Sequence, residues 1–192
     1  MGSIPWAEAQ DPRTGILFMK VGTHANESLD EIITRKQKEI ERAGFALWGY
    51  GGNTCHPTSM VQPFAQSLAS RGSQLVLAMK PMESKHFAEP LRASEYSVDG
   101  LEWEAIPEAV NALGSRYALW IDSLEEADLE LPLDMTKVGL GPSAGRAGDR
   151  YVKGRVDKAC LEYDPTLMSE GTQVASIGLV AHMAEPYAVF LR

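Results

Sequence analysis

Cysteine is nearly absent from this chain, with only Cys55 and Cys160 in 192 residues. The two lie far apart and neither has a second ligand pair beside it, so neither a disulfide framework nor a CxxC zinc site is indicated, and both read as free thiols. Long apolar runs are missing as well. None approaches the roughly 18 residues of a membrane span, and Met1 to Pro12 lacks the basic start and apolar stretch of a signal peptide. The expected compartment is the cytoplasm, with no membrane partner. Positive charge is the scarcer sign: 18 Lys and Arg stand against 26 Asp and Glu, a net charge of −8. That balance disfavours a general affinity for duplex nucleic acid, which comes mainly from cations neutralising phosphates. No Gly-x-x-x-x-Gly-Lys-Ser/Thr phosphate loop occurs, and no internal repeat or dividing linker.

Core-forming material is plentiful. The composition is 44% apolar and 23% charged, and a chain of this length buries roughly 70% of its unfolded surface. A single domain over residues 1–192 is expected, with 1–14 a loosely ordered N-terminal segment.

Gly15 to Val21 is a short apolar run suited to a buried strand. Ser28-Leu29-Asp30-Glu31 then predicts a capping box opening a helix whose apolar stripe is Leu29, Ile32, Ile33, Ile40 and Ala43, and which Gly44 stops. Arg35, Lys36, Lys38, Glu39 and Arg42 on its other face read as solvated. Phe45 to Tyr50 is a second strand, a shorter helix begins near Gln62-Pro63 and ends at Arg71-Gly72, and Ser73 to Lys80 is a third strand. Beyond them the pattern turns antiparallel. Alternation about Asp99-Gly100 predicts a hairpin with a two-residue turn from Tyr96 to Trp103. Further strands are expected over Arg116 to Ser123, Val156 to Tyr163, Val174 to Met183 and Ala188 to Leu191, the last two joined at Glu185-Pro186. The fold class is therefore α+β: a mixed, largely antiparallel curved sheet or small barrel with two or three packed helices.

The β-helix-β opening, Trp48-Gly49 at the end of the second strand and the later strand Ala118-Leu119-Trp120-Ile121-Asp122-Ser123-Leu124 together resemble the PUA-like superfamily, the small barrels that include EVE and ASCH domains. The resemblance implies a barrel that reads a nucleobase-like ligand, a modified base or single-stranded nucleic acid, through an aromatic pocket.

Candidate chemistry gathers in two stretches. From Gly139 to Lys158 there are five basic residues (Arg146, Arg150, Lys153, Arg155, Lys158) against two acidic ones (Asp149, Asp157), a local excess of three positive charges in an acidic chain. With Ser143 and the interspersed glycines, whose backbone N–H groups can approach an anion, Arg146, Arg150, Lys153 and Arg155 form a candidate anion site. The competing reading is a flexible surface loop whose charge is answered by the acidic stretch Asp122 to Asp134.

The second stretch, Gly49 to Pro57, collects Tyr50, Asn53, Thr54, Cys55 and His56 among three glycines that permit close ligand approach. Trp48 stands directly before it and could wall a pocket. Cys55 is nucleophilic only as thiolate; a buried structural thiol, or a metal ligand shared with His24 or His56, are the other readings. His24, at the end of the first strand, shares a side of the fold with this loop if strands one and two are parallel neighbours, which makes it the best candidate general base of the four histidines. His86 reads as a surface residue and His182 as a strand residue. Trp103 and Trp120 alternate with polar neighbours and are expected in the core.

Two function classes follow. One is a ligand-binding domain for a nucleotide-like or other anionic ligand, using Trp48 or Tyr50 for a flat ring and the basic stretch for the charge, with Asn53 a further ligand-binding candidate. The other is a small-molecule hydrolase or transferase using His24, Cys55 and His56. No cofactor or resident metal is called for by either.

Overall fold

The computed structural model describes residues 14–50, 56–83, 89–153, 156–164, 166–167 and 173–192. Its elements in chain order are β1 (Thr14–Val21), α1 (Leu29–Ala43), β2 (Ala46–Tyr50), a π turn (Pro57–Val61) running into α2 (Gln62–Ala69), β3 (Gln74–Pro81), β4 (Glu95–Ser97), β5 (Glu104–Ala105), β6 (Tyr117–Ile121), β7 (Glu125–Pro132), β8 (Thr136–Val138), α3 (Gly148–Val152), β9 (Lys158–Tyr163) and β10 (Val174–Leu191). The class is α+β. The strands form one mixed, mostly antiparallel sheet ordered β2-β6-β10-β3-β1-β9-β8, in which β1 and β3 are the parallel pair. Among the described residues its two ends do not join, so the sheet is open.

β10 organises the whole. Its first half pairs with β3 and β7, and its second half with β6 and β4. The register with β6 shifts between Met183 and Ala188. Two strands joined at Glu185-Pro186 were expected there. One strand runs through instead, carrying an irregularity of the kind that bends a strand and re-aims its far end. The bend folds the β2-β6 arm of the sheet toward the β1-β3 arm, so that Trp48, Tyr50, Leu119 and Ile121 share a core with Met19, Val21, Leu77 and Met79.

α1 forms as its sequence dictates. The Ser28 hydroxyl accepts from the Glu31 N–H while the Glu31 carboxylate accepts from the Ser28 N–H, and Gly44 closes the helix in the left-handed region at φ 83°. These bonds hold the Glu31 carboxyl below its ordinary range, the Ser28 backbone bond most of all. Ile32 and Ile33 are buried in the core shared by both arms of the sheet, with Leu29 and Ile40 packed beside them. The residues expected on the solvated face depart from expectation. Lys38 and Arg42 are exposed, but Lys36 and Glu39 are each only 3% accessible. Covering them is the segment around Asn111, whose N–H donates to Glu39 (3.1 Å) and whose carbonyl accepts from both Arg35 (2.9 Å) and Lys36. A helix expected to be half solvated is enclosed on two sides.

Alternate residues of β1 face opposite layers. Leu17, Met19 and Val21 point to the α1 and α2 side, while Ile16 and Phe18 enter a second cluster with Leu131, Leu161, Ile177 and Val152 of α3. α2 follows a π turn headed by the His56 carbonyl, which accepts from the Met60 and Val61 N–H groups. The buried Gln62 amide in its first turn donates to the carbonyls of Val98 and Ala188, both at 2.8 Å.

Three local expectations are corrected. β4 and β5 do pair, but Tyr96 opposes Glu104, so the connection is a six-residue loop rather than a two-residue turn. It is shaped by the Asp99 carboxylate, which accepts from the N–H groups of Leu101 and Glu102 and from Ser97. Trp103 accordingly leaves the strand pattern and lies half-buried beneath the Arg192 guanidinium, 4.2 Å from its ring centre, instead of in the core. Trp120 is also half-buried, stacked on Phe45 at 3.9 Å against a third cluster that contains Leu47, Val110 and Val189. Within the acidic stretch, Glu125–Pro132 is a strand that places Glu125, Glu126, Asp128 and Glu130 at the surface.

Candidate functional site

Where the two arms of the sheet approach under α1, they enclose a cavity of about 400 Å³. Its walls come from six parts of the chain, and the residues that give it chemical character are Lys20, His24, Lys36, Trp48, Tyr50 and Lys158.

The first wall begins at the end of β1. Lys20 is the one charged side chain in the strand. Its N–H donates to the Asp157 carbonyl at 2.9 Å, and its ammonium lies 3.9 Å from the Asp157 carboxylate. Past Gly22 the chain makes a tight turn in which His24 and Glu27 exchange backbone hydrogen bonds while Ala25 (φ 48°) and Asn26 (φ 65°) occupy the left-handed region. Asn tolerates that region; Ala does so at a cost of about 1 kcal/mol, accepted where the surroundings over-determine the turn. The turn directs Glu27 back onto α1, where it grips Arg35 with both oxygens, at 2.6 and 2.9 Å.

Arg35, Lys36, Glu27 and Glu39 thus form a neutral cluster beside the cavity, two cations against two carboxylates, closed by the Asn111 carbonyl. Arg35 is held above its ordinary value because its two carboxylate partners outweigh desolvation, the largest single influence. Lys36 behaves in the opposite way: burial pushes its ammonium down to about 8, against the pull of Glu39.

The facing wall is the end of β2. Trp48 and Tyr50 are both buried in the core that continues beneath the cavity. Between them Gly49 leaves room for Ser115, whose hydroxyl oxygen would lie 2.3 Å from a Cβ at position 49. Ser115 in turn sits 3.3 Å from His24 Nε2, which donates to the Leu113 carbonyl at 2.9 Å. Because a carbonyl only accepts, that nitrogen carries the proton, and proton abstraction by His24 would have to use Nδ1. The last wall is the start of β9, where the Lys158 ammonium lies 5.5 Å from the centre of the Tyr50 ring.

His24, Trp48 and Tyr50 therefore meet at one cavity, although not for the anticipated reason. β2 is not a parallel neighbour of β1; it pairs antiparallel with β6, and the bend in β10 brings the two strand ends together. His56 is placed elsewhere, edge-on to Tyr117 (5.1 Å) and Phe190 (5.2 Å), with Nδ1 3.2 Å from the Thr58 hydroxyl. His182 pairs with Asp122 at 2.8 Å. Asn53, Cys55, His86 and Arg155 lie outside the described residues, and Cys160 is buried in the core.

The basic stretch divides. From Val138 it makes a hairpin-like loop in which Val138 exchanges backbone bonds with Gly145 and Arg146. Arg146, Arg150 and Lys153 are exposed, Ser143 is half-buried, and none of them lines the cavity. α3 packs through Val152 on the Ile16 and Phe18 side of β1, the side opposite Met19 and Trp48. Of that stretch, Asp157 and Lys158 reach the cavity. Sequence reasoning singled out neither Lys20 nor Lys158 as a site residue. The available signal was Lys20 itself, a cation interrupting the run Ile16 to Val21, which a buried strand retains only where its charge is answered.

Among the described residues no cluster of three or more His, Cys, Asp and Glu side chains could hold a metal ion, and no helix is long and apolar enough to cross a membrane. Compared with known proteins, the chain matches no family model, no curated sequence and no solved structure.

Proposed function

We propose that this protein binds a small anionic molecule, nucleotide-like or otherwise flat and apolar at one end, in the cavity between β1, α1 and β2. The observation that carries the reading is a single cavity whose lining includes Lys20 from β1 and Lys158 from β9 together with Trp48 and Tyr50. Its volume of about 400 Å³ falls in the range of small-molecule sites, which combine a largely apolar lining with a few placed polar groups. Arg35 and Lys36 are balanced locally by Glu27 and Glu39. The two remaining lysines bring cationic side chains to the same lining, where a carboxylate or phosphate of a ligand would find charge-assisted hydrogen bonds.

The test is a panel of nucleotides, modified nucleosides and small dicarboxylates titrated against tryptophan fluorescence, with hits remeasured by calorimetry. The tightest anion should lose roughly ten- to a hundredfold in affinity in Lys20→Ala/Lys158→Ala, the size expected for charge-assisted hydrogen bonds. Its affinity should also fall with added salt, since exposed charges are screened over about 10 Å at 0.1 M. Trp48→Phe should reduce the fluorescence response. Unchanged affinity in the lysine pair, together with loss in Arg146→Ala/Arg150→Ala, would move the anion site to the basic loop and overturn the assignment to the cavity.

A further inference from the structure

Lys36 is a buried lysine within the covered stripe of α1. Its side chain is almost wholly enclosed, yet it forms part of the cavity wall along with Ile32, one turn earlier, and Arg35. The nitrogen is tetrahedral, and two of its hydrogens are committed, one to the Asn111 carbonyl and one to Glu39 Oε2 at 3.2 Å. Both partners are acceptors, so neither can face a lone pair. When the nitrogen is neutral its lone pair must therefore occupy a remaining position, directed away from Asn111 and Glu39.

We propose that Lys36 is a carbonyl-reactive amine, and that the cavity accepts a small anionic aldehyde or ketone which it captures as an imine. The proposal rests on the anion reading for the ligand's charge, and on the Lys36 geometry alone for the chemistry.

The step balances without a further reagent. The Lys36 lone pair forms a C–N bond to the carbonyl carbon as the C=O π electrons move to oxygen. A proton passes from nitrogen to that oxygen to give a carbinolamine, and loss of water leaves the imine. Glu39, 3.2 Å from the nitrogen, is within reach to relay the proton. The charged groups around the amine are Glu39, Arg35 and Glu27. Desolvation, the dominant influence, and Arg35 both favour the neutral form, while the two carboxylates oppose it. Buried amines of this kind are the ones that serve as Schiff-base lysines.

The experiment uses the full chain with glyoxylate and sodium cyanoborohydride near pH 8. The reductant delivers hydride to the imine carbon and fixes the adduct, and peptide mass mapping locates it. The exposed Lys38 and Lys153 serve as internal references in the same sample. Near that pH, Lys36 holds on the order of a hundredfold more free amine than an ordinary lysine. Enclosure takes back part of this advantage, so the expected result is labelling at Lys36 about tenfold faster than at the references. Labelling of Lys36 no faster than Lys38 and Lys153 overturns the proposal. Acetaldehyde in place of glyoxylate isolates the charge once each rate is divided by that of Lys38 and Lys153: a smaller Lys36 ratio with acetaldehyde supports an anionic carbonyl ligand, and an equal ratio overturns that part of the class. Binding of oxalate, an anion without a reactive carbonyl, to wild type and to Lys20→Ala/Lys158→Ala is read by calorimetry. That arm tests the anion site independently of the amine.

Discussion

Gly49 joins three features of the cavity in one residue. It separates Trp48 from Tyr50, it lies opposite Ser115, and through Ser115 it borders the His24 ring. Its role is clearance, since a methyl group there would come within 2.3 Å of the Ser115 hydroxyl. Gly49→Ala should therefore destabilise the protein by about 1–3 kcal/mol, the usual cost of overpacking. In a Ser115→Gly background the same change should cost almost nothing, because the obstructing atoms are gone. Urea unfolding of the four chains forms a double-mutant cycle. An equal loss in both backgrounds would show that the glycine serves some other need.

Among the elements, α1 does the most to build the site, because both of its faces are covered. The inner face buries Ile33, 7% accessible, in the core shared by both arms of the sheet. Ile33→Asp should lower stability by several kcal/mol, since it places an unpaired charge among apolar side chains. A near-silent effect in thermal denaturation would contradict the helix orientation described above. Lys36, one turn from both Ile32 and Ile40, lies within that same inner stripe, and Arg35 and Glu39 flank it beneath Asn111, so that Ile32, Arg35 and Lys36 form one wall of the cavity. Periodicity located the inner stripe correctly, because an apolar residue every three or four positions can only be there to be buried. Lys36 and Glu39 were nevertheless assigned to the solvated face, for an equally physical reason. A charged residue reads as solvated until its partner is known, and Asn111 is more than seventy positions away.

For the molecule as a whole, the buried lysine makes stability depend on pH in a defined direction. In the unfolded chain Lys36 holds its proton up to the ordinary lysine value of about 10.5, whereas in the folded protein it releases it near 8. Between those limits the unfolded state binds more protons, so folding stability rises with pH, and the gain is lost as pH falls back through 8. Tyr96 and Tyr187 act in the opposite sense. Burial holds their hydroxyls above the ordinary 10.0, so they begin to lower stability only as pH approaches 10. The useful window is pH 8 to about 9.5, where Lys36 should contribute a gain of about 1–2 kcal/mol that Lys36→Met lacks. Urea midpoints for both proteins across the window measure it directly. Parallel curves would mean that the amine keeps its proton in the fold.

The sequence by itself determined what depends on neighbours along the chain. The capping box at Ser28 and Glu31, the stop at Gly44, the strands of the first half and the α+β class are all set by backbone hydrogen bonding and apolar spacing over a few residues. Trp48 and Tyr50 could be marked as wall candidates because a glycine-rich segment follows them. The tertiary structure alone decided which distant segments meet. β10 reads locally as two strands and becomes one, and its bend, not any pairing of β1 with β2, brings His24 to Trp48. Charge concentration drew attention to Arg146, Arg150 and Lys153, yet these lie exposed, while Lys20 and Lys158 reach the cavity. Composition reports how much charge a segment carries. Which of those charges turn inward is fixed by the path of the chain at the end of β1 and into β9, a consequence of packing against residues remote in sequence.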